Sequence, residues 1–116
     1  MKTIANTKSD AAEPRVVRLG DLVEYQDATV VSRQLLKKDA GNVTLFAFAS
    51  GQGLSEHTAP FDALVQVLDG EVTVTIAGVA YRLSAGDSIV MPANRSHALD
   101  AVTPFKMALT MIRSPG

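Results

Sequence analysis

Along most of this chain the apolar residues recur at every second position in short runs, the period of a strand with one face in a core. The alternation is plainest in "EVTVTIAG" (71–78), where Val72, Val74 and Ile76 interleave with Thr73 and Thr75. "PFKMALTMI" (104–112) does the same, with Phe105, Met107, Leu109 and Met111 on one face and Lys106, Ala108 and Thr110 on the other. Between these come "ALVQVLDG" (63–70), "VAYRLSAGD" (79–87) and "SIVMPAN" (88–94); upstream lie "VVRLGDLV" (16–23), the β-branched run "ATVVSRQLL" (28–36) and "VTLFAFASG" (43–51). The last of these is apolar on both faces, with Val43, Leu45 and Ala47 on one side and Phe46 and Phe48 on the other. Such a strand is covered twice, by its own core and by another sheet or subunit. Asp69-Gly70 and Ala77-Gly78 stand where tight hairpins need residues that accept positive φ, and "KKDAGN" (37–42) is a further turn. Helical periodicity is confined to a short turn around "GDLVEYQD" (20–27). Many short strands at regular spacing predict an all-β sandwich or barrel.

Composition narrows the class. With 116 residues, 47% of them hydrophobic and 20% charged, the chain is one globular domain. The polar, aperiodic residues 1–14 are expected to form a flexible N-terminal tail, and residues 15–116 the domain. Eleven basic against twelve acidic residues give a net charge of −1, and the basic residues are scattered, so no nucleic-acid or anionic-membrane footprint is expected. The absence of cysteine removes disulfides, a thiolate nucleophile and zinc–thiolate chemistry. No apolar run reaches the roughly 18 residues of a membrane span. "MKTIANTKSDAAEP" has no apolar signal core, which makes a cytoplasmic location the expectation.

Chemistry then rests on two histidines. His57 follows Gly51 with five residues between them and lies ahead of Gly70; His97 follows Gly86 and Pro92. With these spacings the chain resembles the cupin family, whose first motif runs Gly–five residues–His-x-His–Glu–Gly and whose second runs Gly–Pro–Gly–His–Asn. Gly51, His57 and Gly70 match the first motif, and Gly86, Pro92 and His97 the second. The resemblance covers roughly residues 43–112 and implies a single-domain jelly-roll, a double-stranded β-helix barrel.

The departures bear on the site. Cupin metal centres usually take three histidines and a glutamate from these motifs; here the second histidine position is Ala59 and the glutamate position Ala63. Asn94 replaces the second motif's inner glycine, a mild change because Asn tolerates positive φ, and Ala101 replaces its terminal Asn. Only His57 and His97 carry over as metal ligands, so a divalent metal would be weakly held. Strand parity directs Asp62 and Glu56 away from the interior and Ala63, Val65 and Val67 into it, which leaves an apolar surround of Ala59, Ala63, Val65, Leu99 and Met91. Phe61 is placed to cap the barrel mouth. Met91, Met107 and Met111 at strand spacing read as barrel filling.

The expectation is a small-molecule-binding barrel whose ligand meets His57, His97, Phe61 and Met91. Two alternatives are a metal-dependent dioxygenase, isomerase or decarboxylase using His57 and His97 with water or further ligands, and a metal-free epimerase with His57 as base, an aspartate partner and a tyrosine. The resemblance further implies a homodimer, for which "VTLFAFA" would supply the outer strand.

Overall fold

The computed structural model describes residues 13–113. They form nine strands in chain order: β1 Val30–Lys38, β2 Gly41–Phe48, β3 Gly53–His57, β4 Phe61–Asp69, β5 Glu71–Ile76, β6 Val79–Ser84, β7 Ser88–Met91, β8 His97–Ala101 and β9 Phe105–Arg113. β1-β2-β9-β4-β7 make one antiparallel sheet and β3-β8-β5-β6 the other, and the inner faces of the two close on a common core. This is the all-β jelly-roll that the alternation and the motif spacing predict. Except for Glu13 and Pro14, the expected tail over residues 1–14 lies outside the described residues.

Turn chemistry fixes the registers. Gly70 joins β4 to β5 at φ +77°, and a Cβ there would overlap the Pro104 carbonyl oxygen, so only glycine fits. Ala77 and Gly78 both have positive φ, as a two-residue hairpin between right-twisted strands requires. Asn94 also lies at positive φ, in keeping with its tolerance of that region.

Burial alternates as the sequence pattern demands. Ala63, Val65 and Val67 are buried in β4 while Asp62 and Gln66 are exposed, and Val72, Val74 and Ile76 are buried in β5. Phe48 and Phe105 stack with ring centres 4.7 Å apart at one end of this core.

The two-faced strand β2 has a different solution from the one expected. Phe48 faces the inter-sheet core, with Phe46 packed against it, whereas Leu45 and Ala47 are 0% exposed on the outer face. There they are covered by this chain's own residues 17–25, with Leu22 and Val23 buried over Leu45, Ala47 and Ala108. That segment, in which the sequence predicts a strand run over 16–23 and a short helical turn around 20–27, is irregular around a 3-10 turn at Leu19–Leu22, closed by the Asp21 N–H donating to the Arg18 carbonyl at 3.0 Å. Its free carbonyls meet cations from the sheet: Arg33 donates to the Leu22 carbonyl and Lys106 to the Gly20 carbonyl, each at 2.6 Å. The Tyr25 hydroxyl donates to Asp69. Burial, reinforced by that carboxylate, pushes the phenol pKa up. A strap of the same chain therefore covers what the sequence alone assigns to another sheet or subunit.

Candidate functional site

His57 ends β3 and His97 begins β8, and the two are direct cross-strand partners. Leu54 pairs with Leu99 in the same ladder, so three residues on β3 oppose two on β8. That one-residue bulge is what lets both Leu54 and His57 face the interior, which strict alternation forbids. β8 keeps its alternation, with His97, Leu99 and Ala101 buried and Asp100 exposed.

The two rings meet edge to face, with their Nε2 atoms 3.1 Å apart. The Nδ1 of His57 lies 2.8 Å from the Ser55 carbonyl oxygen, and that of His97 lies 3.2 Å from the Arg95 carbonyl oxygen. A carbonyl oxygen only accepts, so each Nδ1 is assigned the ring proton; with both rings neutral neither Nε2 can donate, and their 3.1 Å contact is then a lone-pair contact that an inserted donor or cation would relieve. Two nitrogen lone pairs thus converge on one point. His97 is only 7% exposed, whereas His57 is exposed at the mouth. Burial holds the His97 pKa below its ordinary value and the neighbouring His57 pushes the same way, while the Arg95 carbonyl opposes them.

The cavity that receives this pair is small and apolar. Its envelope, mouth included, is about 410 Å³, and the enclosed part is a small fraction of that, with room for a few heavy atoms only. Leu54, Ala59, Phe61, Ala63, Leu99 and Leu109 supply the carbon wall, together with three methionines, Met91, Met107 and Met111. Phe61 stands at the mouth with the Arg113 guanidinium 5.2 Å over its ring.

His57, His97, Phe61 and Met91 are therefore brought together, as the sequence predicts. Val65, expected beside them, is buried but is not part of the cavity wall. Leu54, Met107, Leu109 and Met111 are added to it. The methionine and leucine face of β9 was visible in the alternation, but its register against β4 was not: Ala63 pairs with Met91 on one side and Met111 on the other. Leu54 depends on the bulge, for which the sequence offers no signal.

Ala59 and Ala63 put methyl groups on the cavity wall where a histidine and a glutamate would complete a metal centre. The nearby Asp62 carboxylate points outward and accepts the Ala93 N–H at 2.9 Å. Among the described residues no group of three or more His, Asp or Glu converges. The donor set offers no oxygen for a hard divalent ion and falls one short of the three protein ligands of a catalytic zinc site. Nor does a tyrosine line the cavity: Tyr81 is exposed on β6 and Tyr25 is engaged in the strap. Acid–base chemistry by His57 with a phenol partner has no partner here.

The cupin-domain family model matches residues 44–113, and the chain belongs to the cupin family. Among solved structures it is similar to a conserved protein of unknown function from Streptococcus pyogenes, at 32% identity over 100% of this chain and 98% of the other, with a TM-score of 0.86. It is likewise similar to a cupin superfamily protein from Desulfitobacterium hafniense, at 29% identity, 88% and 94% coverage and a TM-score of 0.83. A cupin 2 conserved barrel domain protein from Leptotrichia buccalis shares 39% identity over 81% of this chain and 46% of its own, with a TM-score of 0.78. No curated protein matches the chain. No helix among the described residues is long and apolar enough to cross a membrane.

Proposed function

We propose that this cupin is a binding barrel that holds a ligand of a few heavy atoms on the His57–His97 pair. The observation that carries the reading is the pair itself: two imidazole Nε2 atoms 3.1 Å apart, each assigned as the acceptor nitrogen by the carbonyl at its Nδ1, lining a cavity whose remaining side chains are carbon and thioether. A few convergent polar atoms on an apolar wall are the usual design of a selective pocket. The ligand must supply what two lone pairs want, a hydrogen-bond donor or a cation.

Imidazole nitrogen NMR tests this directly. Both rings should carry their proton on Nδ1, and titration with small hydrogen-bond donors and metal ions should shift both Nε2 signals with at least one of them. The double variant His57→Ala/His97→Ala should lose that binding while remaining folded. Rings protonated on Nε2, or Nε2 signals that no donor or cation moves, would overturn the reading.

For the oligomeric state we propose a homodimer, through a different surface from the one β2 suggests. Leu36, Val43, Thr110, Leu64 and Val90 form one row across all five strands of the larger sheet, on its outer face beyond the strap. Val90 is 57% exposed at one end of the row and Leu36 is exposed at the other. Light scattering at micromolar concentration tests it, with Val90→Glu expected to yield monomer; a wild-type monomer contradicts it.

A further inference from the structure

The proposed binding role leaves open what kind of ligand the histidine pair takes, and the opposite wall of the cavity answers that. Facing His57 and His97 across the barrel is the row Met91–Ala63–Met111, three directly paired residues on β7, β4 and β9. The position that would bear a carboxylate is thus a methyl group with a thioether side chain on each side of it. Among the lining side chains, the only atoms with lone pairs are the nitrogens of two histidines and the sulfurs of three methionines.

We propose that the cavity is a soft-cation site that takes one Cu(I), held by the Nε2 atoms of His57 and His97 and completed by thioether sulfur from Met91 and Met111.

Five physical considerations converge on this ion. Thioether sulfur is a soft donor that selects Cu(I), whereas Mg(II), Ca(II) and Mn(II) want carboxylate, carbonyl or water oxygen. Every donor in the cavity is neutral, so the charge of the bound ion stays uncompensated in an apolar surround. Because the solvation cost of burying an ion grows with the square of its charge, a monovalent ion incurs about a quarter of the cost of a divalent one of equal size. The 3.1 Å between the nitrogens is close to the separation of two ligands sharing one ion at about 2 Å from each. Finally, the Ser55 and Arg95 carbonyls that hold the Nδ1 protons are the outer partners that fix a metal-binding imidazole in the right tautomer. The small enclosed volume suits an ion better than an organic ligand of ordinary size.

This inference rests on the histidine pair being the binding point, and the test separates the two. The full-length protein is titrated anaerobically with Cu(I) in competition with the chromophoric chelator bicinchoninate, and in parallel with Zn(II). One Cu(I) per chain is expected, bound at least about 1000-fold more tightly than Zn(II). Met91→Leu and Met111→Leu conserve volume and should leave the fold intact, yet each should weaken Cu(I) by about tenfold or more. X-ray absorption of the wild-type Cu(I) complex should show both nitrogen and sulfur neighbours, a readout independent of any variant. If Cu(I) binding is lost in His57→Ala/His97→Ala but unchanged in the double Leu variant, with no sulfur neighbour seen, the histidine pair remains the binding point and the thioether site is wrong. Tighter binding of Zn(II) than of Cu(I) overturns the soft-cation assignment. Cu(I) binding that is absent, or indifferent to both histidines, also overturns it, and ligand-insensitive imidazole signals would then remove the pair reading as well.

Discussion

The two ends of the barrel interior are built from different side chains and have different properties. β9 runs through both, from Phe105 at one end to Met111 at the other, roughly 20 Å along the strand. Around Phe105 the filling is aromatic and β-branched: Phe48 stacks on Phe105, and both are 0% exposed. These shapes have few rotamers and pack closely. Around Met111 the filling is Met, Ala and Leu, and a cavity remains. Small residues cannot fill the space, and methionines with three rotatable bonds can move within it. One end is close-packed and the other keeps an open cavity.

Perturbations at each end should therefore fall in different currencies, stability at one and binding at the other. The largest effect is expected from Phe105→Ala, which should lower unfolding free energy by about 3–5 kcal/mol in urea denaturation; a loss under 1 kcal/mol would mean that the closed end is not close-packed. Next is Ala59→His/Ala63→Glu, which restores the missing ligands at the open end. It should raise divalent-metal affinity on the order of 100-fold, about 2.7 kcal/mol, read by metal content after dialysis. Unchanged metal content would show that these positions do not face the histidines.

A smaller effect is expected from acid. Because burial lowers the His97 pKa in the folded state, the unfolded chain binds more protons between that value and about 6.5. The stability due to neutral His97 is then full above about pH 6.5 and is lost as pH falls through the folded value. The melting temperature of metal-free protein should fall on acidification from pH 7, and His97→Gln should flatten that slope. An equal slope in the variant would assign the acid sensitivity to other groups. The smallest effect is that of Tyr81→Phe: the residue is exposed on β6 and outside the cavity, so stability should change by less than about 0.5 kcal/mol and ligand binding not at all.

Much of the fold was legible because it is written in local terms. Alternation placed Ala63, Val65 and Val67 inward and Asp62 outward, and Gly70, Ala77-Gly78 and Asn94 marked backbone positions that few other residues tolerate. Motif spacing by itself pairs His57 with His97. The site was less legible wherever it depends on how strands meet. Met111 could be assigned to a face but not to a neighbour, and its methionine role read as filling until its register put it beside Ala63. Leu54 enters the cavity through a bulge between Leu54 and His57 that no turn residue announces.

The amino-acid order by itself thus determined the class of fold, the inward set of each strand and the loss of two ligand positions, because each follows from side-chain period or residue identity. Tertiary structure alone decided that residues 17–25 cover the outer face of β2, because apolar strand residues do not specify what covers them. It alone brought a carbonyl oxygen to each Nδ1, which assigns the ring protons there and turns the Nε2 atoms toward each other. And it alone set thioethers opposite them, because register joins residues far apart in the chain.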